Sequence, residues 1–97
     1  MSEGQGTKEL SPEELAQFEQ YLHLISRDPA RNRRRFYTLS WQPMLDGDIA
    51  LVCSWGRLGM HGKARTIFSP ERAQVQENLV RLIKRRLQRG YQVIERR

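Results

Sequence analysis

The sequence predicts an α+β fold, a small antiparallel β-sheet packed by one long C-terminal helix. Two observations predict it. Residues 36–68 carry three strand-like runs separated by Pro43, Asp46-Gly47 and a glycine-punctuated loop. A Ser69-Pro70-Glu71 helix start then leads into an apolar stripe of helical period that stops before Gly90. At 97 residues the chain suits one hydrophobic core and one domain.

Residues 1–10 are rich in Gly, Glu and Gln and lack an apolar pattern, so they are expected to form a disordered tail preceding a single domain over 11–97. Ser11-Pro12-Glu13-Glu14 reads as a helix start: Ser11 caps, Pro12 occupies the first helical position where its missing N–H is harmless, and Glu14 completes a capping box. The extent of that helix is ambiguous. Leu15, Phe18, Leu22 and Ile25 fit a helical stripe, whereas Leu22, Leu24 and Ser26 alternating with Tyr21, His23 and Ile25 fit a strand. Asp28-Pro29 breaks either element. Ala30 to Arg35 reads as a basic linker.

Phe36 to Trp41 is aromatic and β-branched, a strand by composition, and Pro43 stops it. Asp46-Gly47 signals a turn into a second strand, Ile49 to Trp55. Gly56, Gly59 and Gly62 punctuate a loop, and Lys63 to Phe68 resumes a strand, so 36–68 reads as a three-stranded meander. In the final helix Val75, Leu79, Leu82, Ile83 and Leu87 share one face, and Gly90 is the natural residue just beyond its end. Arg86 falls inside the apolar arc and is expected to snorkel from the last turn. After Tyr91-Gln92-Val93-Ile94 a basic tail is expected.

Charge divides the chain. Residues 1–26 hold one basic and five acidic side chains, and residues 27–97 hold 16 basic and six acidic, so a −4 segment precedes a +10 body. Fourteen of the basic residues are Arg and three are Lys. The guanidinium stays charged and grips phosphate with a planar fork, so this body has the electrostatic footprint of a polyanion binder.

The same residues exclude several classes. The longest apolar run is five residues, Ile49 to Cys53, far short of the roughly 20 a membrane helix needs. No secretory signal is seen at the N-terminus, and a cytoplasmic or nucleoid-associated location is expected. One Cys and two His leave too few ligands for structural zinc, and no metal or cofactor is expected. Cys53 with His61 is a conceivable nucleophilic pair, but Cys53 sits mid-strand in an apolar run and reads as core. Asp46 and Asp48 flank a turn glycine for backbone reasons. Gly59-Met60-His61-Gly62 mimics a phosphate-clamping loop, but no helix follows it. No enzyme is expected.

What remains is Ser54-Trp55-Gly56-Arg57-Leu58-Gly59 at a strand end. Trp offers a flat face for a base or sugar, Gly permits close backbone approach, and Arg supplies the phosphate fork. Trp55-Gly56-Arg57 before Leu58-Gly59, with Phe36-Tyr37-Thr38-Leu39 about 20 residues earlier, resembles the WGR domain over roughly 20–91. That family occurs in DNA-damage-sensing poly(ADP-ribose) polymerases, in molybdate-regulator-like bacterial proteins and as short stand-alone bacterial chains. The resemblance implies a sheet of about four strands packed by one long helix, with 20–26 as the first strand and only a short N-terminal helix at 11–18.

It also implies that Trp55 packs against the sugar at a DNA strand end, that Arg57 contacts DNA and that Gly56 is a close-approach residue. Lys63 and Arg65 of the following strand are implied backbone contacts. Within 97 residues there is no room for a transferase domain, so no ADP-ribosylation is expected. The arginines Arg31, Arg33, Arg34 and Arg35 are expected to track phosphates. Together these residues predict a DNA-binding module of low sequence specificity that prefers ends or nicks. A regulatory adaptor docking an acidic protein is the alternative, and structured RNA shares the same electrostatics. A DNA-contacting Trp55 is expected to be substantially exposed, with Trp41 structural.

Overall fold

The structure, a computed structural model, describes residues 10–67 and 72–97. Of the tail expected over 1–10, residues 1–9 lie outside these residues, as do the end of the third meander strand at Phe68 and the Ser69-Pro70-Glu71 cap, whereas Leu10 is half-buried and packs against the core.

Within them the order is α1 (Pro12–Leu15), β1 (Tyr21–Asp28), a 3-10 turn (Pro29–Arg31), β2 (Arg33–Pro43), β3 (Ile49–Arg57), β4 (Lys63–Ile67), α2 (Arg72–Gln88) and β5 (Gln92–Arg96). The strands form one sheet in the order β4-β3-β2-β1-β5, antiparallel throughout. The α+β reading stands, with five strands rather than about four.

The capping box forms as the sequence dictates. The Glu14 N–H donates to Ser11 Oγ at 3.1 Å, and the Ser11 N–H donates to Glu14 Oε1 at 3.0 Å. The helix it starts is shorter than 11–18, ending at Leu15. Phe18 beyond it is buried, with its ring 6.2 Å from that of Trp41, and Gln76 Nε2 donates to the Ala16 carbonyl at 2.7 Å, tying α1 to α2.

Residues 21–28 resolve their ambiguity as a strand. Leu22, Leu24 and Ser26 are buried on one face, and Tyr21, His23 and Ile25 are half-buried on the other. The cause is tertiary: β2 and β5 pair with the two edges of β1 and take up the backbone groups that a helix would satisfy internally. The stretch expected to be a basic linker is the tip of this β1–β2 hairpin. Arg33, Arg34 and Arg35 lie within β2, opposite Asp28, Arg27 and Ser26. Asn32 closes the 3-10 turn at φ 51°, a left-handed position that Asn tolerates.

The Asp46-Gly47 turn is present: Gly47 has φ 93°, and Asp46 Oδ1 accepts from the Asp48 N–H at 3.0 Å. The expected basic tail is instead β5, on the far edge of β1.

Helix α2 buries Val75, Leu79 and Ile83 against Leu22, Leu24, Tyr37, Leu39, Leu51 and Cys53 of one sheet face. Its end is a Schellman motif. The Gly90 N–H donates to Leu87 O at 3.1 Å and the Tyr91 N–H to Arg86 O at 3.0 Å, with Gly90 at φ 89°. The motif folds Tyr91 back onto the core and delivers the chain to β5.

Candidate nucleic-acid interface

Alternation places Trp55 and Arg57 of β3 on the face that α2 covers, in register with Tyr37 and Arg35 of β2. A cleft of about 660 Å³ opens there beside the C-terminal end of α2. Trp55, Gly56 and Arg57 form one side of it, and Arg31, Arg33, Arg34 and Arg35 of the hairpin tip form another. Arg86 and Tyr91 from the end of α2 complete it, with Asn32 at the turn. Among the described residues no acidic side chain lines the cleft.

Seven of the nine residues expected from the sequence therefore meet in one place. The other two do not line it. Lys63 stands opposite Trp55 on the edge strand β4, and Arg65 stands opposite Cys53 and lines a neighbouring groove. Arg86 and Tyr91 were not among the expected site residues. Their signals were a lone Arg inside the apolar arc of α2 and the aromatic residue just after the capping glycine.

Arg86 does not simply snorkel. Its guanidinium carbon lies 4.3 Å from the centroid of the Tyr37 ring and 5.6 Å from that of Tyr91, and these rings meet edge to face at 6.4 Å. Its Nε is buried and makes no hydrogen bond to the described residues. Two aromatic faces thus hold the fork in place at the cleft wall. Burial pushes the Tyr37 phenol up to about 12 and raises the thiol of its neighbour Cys53. Cys53 is a buried free thiol, as its apolar run requires.

Trp55 is half-buried, packed in part against the core, rather than substantially exposed. One face of the strand end serves both core and cleft, so the ring is shared between them. Trp41 is also half-buried and packs on the core through Phe18.

Gly56 makes its close approach within the chain itself. A Cβ there would lie 2.6 Å from the Gly62 Cα, and one at Gly62, with φ 70°, would meet the Trp55 carbonyl. The loop that follows the motif therefore crosses directly over it, under the half-buried Phe36 ring. Backbone bonds fix the start of the loop: the Leu58 N–H donates to Arg34 O at 3.0 Å and the Met60 N–H to Arg57 O at 3.0 Å.

The electrostatics are unfavourable to the protein alone. Arg35 pairs directly with Arg57, and Arg27 with Arg34. Like charges opposite one another in a sheet destabilise it. Around the tip, Asp28 offsets part of this with an ion pair to Arg31 at 3.6 Å. What such a cleft can do chemically is bind an anion with several forks beside a flat aromatic face. Among the described residues no group of three or more His, Cys, Asp or Glu could hold a metal ion, and no helix is long and apolar enough to cross a membrane.

The WGR domain family matches residues 20–97. Uncharacterized protein y4dW of Sinorhizobium fredii (strain NBRC 101917 / NGR234) is 33% identical over 70 residues, which are 72% of this chain and 34% of that relative. The chain thus spans about a third of the length of the curated relative it matches. No solved structure matches it. The match covers the whole sheet, the cleft and helix α2, and the chain belongs to the WGR domain family.

Proposed function

We propose that the chain is a non-enzymatic nucleic-acid-binding module that engages DNA at strand ends or nicks with little sequence preference. The observation that supports this best is the Arg35–Arg57 pair beside Trp55 in a cleft that no acidic side chain lines among the described residues. A fold that sets two guanidinium groups opposite each other is relieved when phosphate lies between them. Arg57, Arg35 and Arg33 share the face of Trp55 and hold the backbone near it. Trp55 presents its open part to the terminal sugar or base, and Arg31 and Arg34 extend the contact around the hairpin tip. Contacts of this kind position the nucleic acid without reading bases.

Fluorescence anisotropy with blunt, nicked and end-capped duplexes at two salt concentrations tests the reading. Binding is expected to favour free ends and nicks and to weaken linearly in log salt, by about 0.9 per phosphate neutralised. Equal binding to end-capped duplex removes end recognition.

A second reading, a protein-docking adaptor, is favoured by the other face of the sheet. There Ile25, Phe36 and Val52 are half-buried, no described helix covers them, and no arginine of β1 to β4 other than Arg27 and Arg34 shares that face. An interface of that kind would respond weakly to salt, whereas the cleft would respond steeply.

A further inference from the structure

The arginine cleft has a neighbour. Between edge strand β4 and helix α2 lies a groove of about 390 Å³. Its walls include Tyr37, Cys53, Ile67 and Leu82, which are apolar or uncharged and buried or half-buried. Its rim carries Arg65 from β4 and Arg81 and Arg85 from α2, four residues apart and so on one helix face, with the Asn78 amide one turn earlier. Among the described residues no acidic side chain lines it. Trp55 and Arg86 line both spaces and form the boundary between them.

We infer that this groove takes an unpaired nucleotide of a single strand running on past the duplex end held in the arginine cleft. The inference rests on the reading above and adds a substrate feature to it, a single-stranded extension. Three properties carry it. The groove has the size of a small-ligand site, about 300–1,000 Å³ in general, and so admits one nucleotide but not a duplex. It joins a positively charged rim to the open part of the Trp55 ring, the combination of charge and aromatic surface that holds single strands. It adjoins the cleft across Trp55 and Arg86, so consecutive nucleotides of one strand have a site on either side of that boundary. Arg86, held by Tyr37 and Tyr91, stands where the phosphate between the last paired and first unpaired nucleotide would lie. Arg81 and Arg85 take the next phosphate. The Asn78 amide can donate to or accept from any base edge, so the groove does not choose among bases.

The test compares a blunt duplex with the same duplex carrying a short single-stranded extension, bound to the whole chain and followed by anisotropy. The extension is expected to tighten binding about tenfold, the scale of one stacked base. Arg85→Ala, and separately Asn78→Trp, which fills the groove from an exposed helix position, are expected to abolish that gain and leave blunt-end affinity within about twofold. Circular dichroism of both variants checks that the helix is intact. Arg57→Ala is expected to weaken both ligands alike. Blunt DNA binding with no gain from the extension, or a gain that survives both variants, overturns the inference and leaves the end-binding function standing. A single strand bound through Arg85 but indifferent to Arg57→Ala keeps the groove and overturns the end reading. No binding of any of these ligands overturns both.

Discussion

The Cα of Gly62 lies where a side chain on Gly56 would project, 2.6 Å from the Cβ position. The glycine of the Trp-Gly-Arg motif is thus required by the protein's own loop, which packs flat across the strand end. The contact fixes the backbone between Trp55 and Arg57 and with it the spacing of their side chains.

Gly62→Ala is expected to cost about 1–3 kcal/mol or more, because φ 70° is left-handed and the new methyl meets the fixed Trp55 carbonyl. Gly59→Ala provides the comparison. Gly59 has φ 85° but open space around it, so only backbone strain is added. Urea denaturation of both variants checks this, and equal losses would show that the loop does not press on the motif.

Replacing Arg57 or Arg35 separates stability from binding. Either Arg→Ser change removes a like-charge cross-strand pair and is expected to stabilise the free protein by about 0.2–1 kcal/mol while weakening DNA binding. Melting temperature and affinity measured on the same samples decide it. A stability loss would mean that the pair is not repulsive in solution.

Trp55 is best tested with Leu rather than Ala. Part of the ring is core, and Trp55→Ala would mix a cavity, at about 3–5 kcal/mol for a fully buried ring, with impaired recognition. Trp55→Leu keeps apolar volume in the buried part. It is expected to retain most stability and to lose about 1–3 kcal/mol of DNA binding, the range for one stacking contact. Trp41→Leu is expected to leave affinity unchanged. If both variants bind alike, Trp55 has no special role in recognition.

Arg33, Arg34 and Arg35 replaced together by Ala are expected to lower the salt slope by about 0.9 for each phosphate that the variant no longer neutralises. The strand should persist, since its backbone pairing with β1 is unchanged. Titrations across a salt series check the slope, and an unchanged slope would make the run a solubilising surface.

Tyr37 and Cys53 predict two solution properties. Burial holds the Tyr37 phenol at about 12, above its usual value of 10.0, so the folded state keeps a proton that the unfolded state loses first. Stability is then fully present below about pH 10 and falls as pH rises toward 12. Tyr37→Phe should flatten this fall in pH-dependent denaturation. Cys53, buried and raised by the same cause, is expected to label only as fast as the protein opens. Labelling faster than opening would show that the groove whose wall Cys53 forms admits the reagent to the sulfur.

Local chemistry was legible wherever the chain speaks to its near neighbours. The Ser11 capping box, the Asp46-Gly47 turn, the strands holding Phe36 and Leu51 and the Gly90 helix end each follow from side-chain hydrogen bonds, φ preference or apolar period within a few residues. The family motif and the surplus of arginine were also plain in the sequence. Tertiary structure decided what depends on distant partners. Residues 21–28 fit two periods, and only pairing on both edges makes them a strand. Residues 92–96 show no clean alternation and become β5 because β1 offers an open edge beside the Schellman turn. Arg33 to Arg35 read as a linker because a run of like charges carries no strand signal, yet hairpin closure sets them against Arg57. Arg86 lay hidden in an apolar arc, since the rings that hold it come from Tyr37 on β2 and from Tyr91 beyond the helix. Sequence by itself determined the caps, the turns, the strands of clear composition and the charge of this protein, because those are set by neighbours along the chain. Only the tertiary structure decided which charges share a cleft, because that depends on strand register and on where the helix stops.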